Sequence, residues 1–329
     1  MKTICIYHSR DLDGWMSAAI VKKWFIKKHP KAVILDKNNN QEPKPNHFLF
    51  MLGWDHGDDV PDLSSYNKII MLDIAFSAEV MFKLHVVSTG KLIWIDHHES
   101  AIDALVDYYK EGDDRELLYN YPEGYRDINL AACELTWQHF LPGDKMPEIV
   151  RLLGRYDCFG HKGTDEEQKV LEFQYVSRAY ISNYEDAHRY LGEWMGYPEM
   201  YLQSWLITGR DIYKYLCTEA RQTYKKAFPI KFDEPRGNQN RDYPISTVRK
   251  FLCVNQERFN PINFGIDYHK EGYDGFACFW YKNGKWSWSL YNDNGEVDCS
   301  VIAKQYSGGG HKGAAGMVID TKELLQIIT

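Results

Sequence analysis

Short apolar runs alternate with helical stretches through the first half of the chain. TICIY (3–7) is dense in β-formers. GWMSAAIVKKWFIKKH (14–29) follows with apolar residues at helical spacing, at Trp15, Ala18, Ala19, Trp24 and Phe25. AVIL (32–35), KIIMLDIAF (68–76) and KLIWID (91–96) read as three further strands. SAEVMFKLHVVS (77–88) reads as a helix with Ser77 as its N-cap. INLAACELTWQHFL (128–141) and MPEIVRLLGRYD (146–157) read as two more helices. Strands that alternate with helices predict an α/β fold, with a parallel sheet, right-handed crossovers and helices on both faces.

From about 165 to 227 the pattern is helical and charged, and DEPRGNQNRDYP (233–244) reads as a turn-rich insertion. Strand-like runs follow in RKFLCVN, INFGIDY, YDGFACFWY and KWSWSLY, then a short helix in CSVIAKQY and a strand in AAGMVI. FWYKNGKWSWSLY (279–291) alternates like a hairpin about a Lys-Asn-Gly-Lys turn, so its aromatics need no role beyond packing. The expected organisation is a parallel-sheet domain over 1–185, a helical linker over 186–227 and a smaller α/β domain over 228–329.

Composition narrows the classes. The chain has 329 residues and is 44% apolar, enough for two globular cores. No stretch approaches the ~20 apolar residues that cross a bilayer, and the N-terminus lacks the pattern of a secretory signal. The net charge of −7 argues against a nonspecific binder of long nucleic acid. The basic run KKWFIKKHPK (22–31) reads as the solvated face of a helix. Seven dispersed cysteines without a CxxC pair point to reduced, buried thiols in a cytoplasm rather than disulfides or structural zinc.

Candidate chemistry sits at the strand ends. The first strand runs into His8, Asp11 and Asp13, the KIIML strand into Asp73, and LIWI into Asp96, His97 and His98. Two adjacent imidazoles offer no turn chemistry, but they do offer metal ligands and a proton donor. In an open parallel sheet the carboxyl ends of the strands form the ligand crevice, so these residues are expected to converge. Converged carboxylates repel unless cations lie among them. Asp and His without thiolates suit Mn²⁺ or Mg²⁺, and a pair of such ions would activate water and clamp a phosphoryl group. Taken singly each residue has a plainer reading; Asp13 before Gly14, for instance, is an ordinary helix N-cap. Near the C-terminus, SGGGHKGAAG combines glycines that let backbone N–H groups approach a phosphate with the cationic His311 and Lys312.

HSRDLDG, MLDIAF, IDHH and RYD resemble, in order, the signature segments of the DHH phosphoesterase superfamily. GGGHKGAAG (308–316) resembles the glycine-rich segment of the DHHA1 domain that accompanies it in nanoRNases and RecJ-like phosphodiesterases. The resemblance implies one metal held by His8, Asp11 and Asp73, and a second held by Asp13, Asp73, His97 and Asp157, with Asp73 bridging. It implies that His98 faces the substrate phosphate as charge stabiliser or proton donor, and that Asp96 orients an imidazole. It implies that Gly308, Gly309, Gly310, His311 and Lys312 hold the part of the nucleotide distant from the metals. The expected activity is Mn²⁺-dependent hydrolysis of short oligonucleotides or of linear or cyclic dinucleotides, with a homodimer left open. The alternatives are a RecJ-like exonuclease on single strands, an inorganic pyrophosphatase and a non-catalytic module of the same fold.

Overall fold

The computed structural model describes residues 1–36, 47–87, 91–111, 122–236 and 245–328. The chain divides into two compact units, Met1–Ile212 and Tyr213–Thr329. The fold is α/β, as the alternation of elements predicts.

The first unit is built on five strands, β1 (Lys2–His8), β2 (Val33–Leu35), β3 (Phe48–Trp54), β4 (Lys68–Leu72) and β5 (Leu92–Ile95), in the order β2-β3-β1-β4-β5. Every described pairing in it is parallel. Alternate residues serve opposite faces. Cys5, Tyr7, Met51, Ile70, Leu72 and Ile95 join one buried core. Ile4, Ile6, Leu52, Met71 and Trp94 join another. A parallel sheet covered on both faces explains why β5 is buried along its whole length. The first core is closed by α1 (Leu12–Lys28), α4 (Ala132–Phe140), α5 (Glu148–Asp157), α6 (Glu167–Tyr180) and α7 (Tyr184–Gly196); α2 (Ala78–Val87) and α3 (Glu99–Glu111) close the second. The long helix α8 (Pro198–Tyr224) gives Trp205 to the first unit's core and Ala220 to a core of the second.

The second unit carries β6 (Phe228–Arg236), β7 (Ile245–Asn255), β8 (Gly275–Lys282), β9 (Lys285–Tyr291), α9 (Cys299–Lys304), β10 (Gly309–Gly310), β11 (Ala314–Ile319) and α10 (Thr321–Ile328). Its sheet order is β10-β11-β9-β8-β7-β6, antiparallel except between β7 and β8. The β8–β9 hairpin turns at Asn283 and Gly284, both at positive φ, as the Asn-Gly pair predicts.

Four expectations change. FLFMLGW, unassigned from the sequence, is β3 and lies beside β1. INFGIDY is not a strand: Pro261 opens a 3₁₀ turn capped by Asn260, Gly265 ends it at φ 72°, and Asp267 caps a second turn over Tyr268–Glu271. Turn chemistry overrides the alternation there, while Ile262, Phe264 and Ile266 still pack inward. Asp233–Arg236 extend β6 instead of forming a turn; Pro235 is tolerated because β6 is an edge strand. The rest of that insertion, 237–244, and Ser88 at the end of the second predicted helix lie outside the described residues. Lys22 is not solvated: it is buried to 9% exposure, ion-paired with Glu185, with its ammonium over the Tyr184 ring.

Candidate metal centre and catalytic site

The parallel sheet delivers the ends of β3, β1, β4 and β5 to one edge. β1 hands over to α1 in a tight turn, with Asp11 as N-cap accepting from the Gly14 N–H at 2.9 Å. A Cβ on Gly14 would lie 2.1 Å from the His8 carbonyl oxygen, so only glycine lets the helix start this close to the strand. The cap is therefore Asp11, not Asp13. Asp13 is buried, and its two oxygens accept from the Ala132 and Cys133 N–H groups at 2.8 and 2.7 Å. It satisfies the N-terminus of α4, where Ala131 has no side-chain acceptor to offer.

Asp73 follows β4 with φ 59°, and its N–H donates to Ile95 O at 2.9 Å. That contact ties the residue to the end of β5 and aims its carboxylate between two imidazoles. Asp73 Oδ2 is 3.5 Å from His8 Nδ1, and Asp73 Oδ1 is 3.4 Å from His97 Nε2. His8 Nδ1 also lies 2.6 Å from Asp11 Oδ2. His97 Nε2 lies 3.1 Å from Asp157 Oδ2 and 3.7 Å from Asp13 Oδ2. Asp157 ends α5, whose last turn is held by Arg155 pairing with Glu134 at 2.6 Å.

Asp96 is wholly buried and accepts from the His97 and His98 N–H groups at 2.8 and 3.2 Å. Its second oxygen accepts from Trp94 Nε1 at 3.2 Å. Its first also lies 2.7 Å from His98 Nδ1. The two neighbouring histidines thus differ in orientation. His97 turns Nε2 to the carboxylates, while His98 is held through Nδ1 by Asp96.

The side chains expected from the sequence converge as three groups whose ligand atoms lie within 4.8 Å of one another: His8, Asp11 and Asp73; Asp13, His97 and Asp157; and Asp73, His97 and His98. Their electrostatics are those of crowded acids. Burial opposes charge on His8, but Asp11 and Asp73 outweigh it and push the imidazole up to about 11. His97 rises further, against burial, through Asp157, Asp73 and Asp13. His98 rises to about 9, against burial, through Asp96 and Asp73. Burial, then Asp73 and Asp157, push the Asp13 carboxyl well above its ordinary range. The carboxylates together thus draw protons onto His8, His97 and His98, a demand for positive charge that divalent cations would meet.

The donor set fits such ions. Asp73 Oδ1 is buried without a hydrogen bond, 3.4 Å from His97 Nε2, so a carboxylate oxygen is left facing the space among the donors. All donors are carboxylate oxygen or imidazole nitrogen, which suits Mn²⁺ or Mg²⁺. Cys133 is no competing ligand: burial, with Asp13 and Glu134, keeps its thiol protonated.

One neighbour escaped the sequence analysis. Asp55, just past β3, lies 3.5 Å from His8 Nε2 and pairs with Arg10 Nε at 2.5 Å. Its signal was the apolar run FLFMLGW halted by Asp-His, the same pattern that marked IWIDHH.

In the second unit, the glycine loop enters a short hairpin. Gly308 N–H donates to Ala303 O at 2.9 Å, and His311 N–H to Ala314 O at 2.7 Å. A Cβ on Gly308 would lie 2.2 Å from Gly316 O, and Gly310 stands at φ 136° with Ala314 O 2.7 Å from an added Cβ. Close strand approach thus accounts for Gly308 and Gly310. Gly309 and Lys312 are exposed, and His311 is half-buried.

No family model matches the chain. It is 22% identical to an uncharacterised protein, R106, of Acanthamoeba polyphaga mimivirus, over 95% of this chain and 66% of the relative's length. The chain thus spans just under two-thirds of that relative. Among solved structures it is similar to a pGpG-specific phosphodiesterase from Vibrio cholerae, at 13% identity and TM-score 0.44, covering 99% of this chain and 96% of the other. It is similar to the DHH domain of a member of a family of ribosomal proteins, at 14% identity and TM-score 0.47, covering 99% and 85%. It is also similar to an exopolyphosphatase-related protein from Bacteroides fragilis, at 13% identity and TM-score 0.39, covering 98% and 89%.

Proposed function

We propose that the chain is a phosphoesterase of the DHH type, a metal-dependent phosphodiesterase acting on short oligonucleotides or on linear or cyclic dinucleotides. The observation that carries this is the placing of Asp73 between two sets of N/O donors, His8 with Asp11 and Asp13 with His97 and Asp157. Two cations bound there would polarise a phosphoryl oxygen and lower the pKa of an attacking water. His8, Asp11 and Asp73 would hold one, and Asp13, Asp73, His97 and Asp157 the other.

The chain's own groups do the rest. Backbone amides of α4 fix Asp13, and the Asp73 N–H bond to Ile95 O fixes the Asp73 carboxylate between the two donor sets. Asp96 holds His98 through Nδ1, fixing the orientation of the ring whose Nε2 would meet the leaving oxygen. Protonated His98 donates to that oxygen and returns to the imidazolium from solvent. In the second unit, His311, Lys312 and the exposed Gly309 would offer a phosphate-binding site, while the Gly308 amide is already given to Ala303 O.

The test is a substrate panel with Mn²⁺: 2-mer, 5-mer and 24-mer RNA and DNA, pApA, cyclic dinucleotides, bis-p-nitrophenyl phosphate and pyrophosphate. Diesters of a few nucleotides are expected to be cleaved, with activity lost in EDTA. Turnover of pyrophosphate alone, or of no member, would overturn the reading. His311→Ala is expected to lower kcat/KM for pApA by about ten- to hundredfold, the worth of one charge-assisted hydrogen bond, and to lower it less for the small ester. Equal losses would place His311 at the reacting phosphate instead.

A further inference from the structure

α6 packs against α5, the helix that ends in Asp157, and Arg178 stands in the last turn of α6. Arg178 is exposed, and its guanidinium carbon lies 5.8 Å from the ring centres of both Tyr156 and Tyr175. Aromatic faces hold a planar cation in place without neutralising it. Tyr156 immediately precedes Asp157, whose carboxylate meets His97, and its ring stacks on His161 at 5.3 Å and 11°. The last turn of α5 therefore presents a candidate metal ligand and, one residue earlier, the ring that carries Arg178.

The other arginines around the site are spoken for. Arg10 pairs with Asp55, Arg151 with Glu148 and Glu166, and Arg155 with Glu134. Arg178 makes no ion pair or hydrogen bond among the described residues; it lies over the two rings. Desolvation opposes its charge, and Tyr156 and Tyr175 with Asp11 and Asp157, one acid from each ligand group, outweigh that. An uncommitted guanidinium of this kind answers a need of the chemistry. A cluster of aspartates repels a phosphodiester, and charge builds on its non-bridging oxygens in the transition state. A guanidinium can take two such oxygens at once, which a lysine cannot.

We propose that Arg178 is a further catalytic residue, whose guanidinium grips the non-bridging oxygens of the scissile phosphate. It transfers no proton and forms no bond; it stabilises charge. The inference rests on the phosphodiesterase reading above. Arg178→Ala and Arg178→Lys would be assayed with Mn²⁺ on pApA and on bis-p-nitrophenyl phosphate, alongside bound-manganese analysis and thermal unfolding. The expected result for the alanine variant is a fall in kcat of about a hundredfold or more on both substrates, the cost of removing one oxyanion-stabilising donor. Manganese content and melting temperature stay as in the parent, lysine is intermediate, and added guanidinium ion at millimolar concentration restores part of the alanine variant's turnover. Unchanged kcat overturns the proposal. So does a loss that guanidinium does not rescue, or one that comes with lost manganese or lowered melting temperature, which assigns Arg178 to packing on the tyrosines. Wild-type protein inactive on every diester sinks the phosphodiesterase reading instead.

Discussion

Asp73 holds its backbone at φ 59°, where an L-residue bears a cost of roughly 1–2 kcal/mol. That strain aims one carboxylate at His8 and His97 together, so the side chain and the backbone make separable demands. Asp73→Ala and Asp73→Gly are both expected to abolish Mn²⁺-dependent hydrolysis. The glycine variant is expected to be the more stable of the two, by about 1 kcal/mol in urea unfolding. Equal stabilities would show that the backbone is unstrained. Asp96, His97 and His98 were legible as a triplet because nothing else explains two imidazoles at the end of a buried strand. What separates the two histidines was not legible, because ring orientation is a tertiary fact: His98 is held through Nδ1 by Asp96 and His97 turns Nε2 to the carboxylates. His97→Ala is therefore expected to lose bound manganese and turnover together. His98→Ala is expected to keep its manganese and lose about 10²–10⁴-fold in kcat. Metal analysis with the opposite pattern reverses the two roles.

At the scale of elements, the site depends on how closely α1 follows β1. His8 ends β1, Asp11 caps α1 and Asp13 lies in its first turn, and Gly14 lets that helix start close against the His8 carbonyl. Gly14→Ala is expected to destabilise the protein by about 3 kcal/mol, the upper end of overpacking costs, and to weaken manganese binding by moving three candidate ligands at once. A melting temperature and manganese affinity both unchanged would mean that the turn has room to relax. The strands of the first unit could be read where apolar runs were bounded by charge. β3 was passed over although FLFMLGW is as apolar as LIWI, and Asp55 was lost with it. INFGIDY failed for the reverse reason: its alternation was real, but Pro261, Asn260 and Gly265 carry turn chemistry that period-2 counting ignores. Lys22 shows a third limit, since a lysine facing Glu185 from a residue 163 positions away cannot be recognised as buried from its neighbours alone.

At the scale of the whole molecule, the two units differ in what a metal can do for them. The candidate ligands all fall within Met1–Ile212, where mutually repelling carboxylates are buried at the sheet edge; the glycine loop falls within Tyr213–Thr329. Two motifs near opposite ends of the chain were the ground for expecting two domains joined by a helical linker over 186–227; the compact units divide between Ile212 and Tyr213, within α8. A ligand that binds only the folded state stabilises it by about 2.7 kcal/mol at a hundred times its dissociation constant. In a unit of this size each kcal/mol moves the melting temperature by about 2–4 °C, so saturating Mn²⁺ should raise the first unit's transition by roughly 5–11 °C. EDTA should reverse the shift. The second unit's transition, where calorimetry resolves it, should stay in place. Asp73→Asn should suppress the shift, since it removes the charge facing both donor groups, whereas Lys312→Ala should leave it intact. A shift that survives Asp73→Asn, or that appears in the second unit, would move the metal site away from the β1, β4 and β5 strand ends.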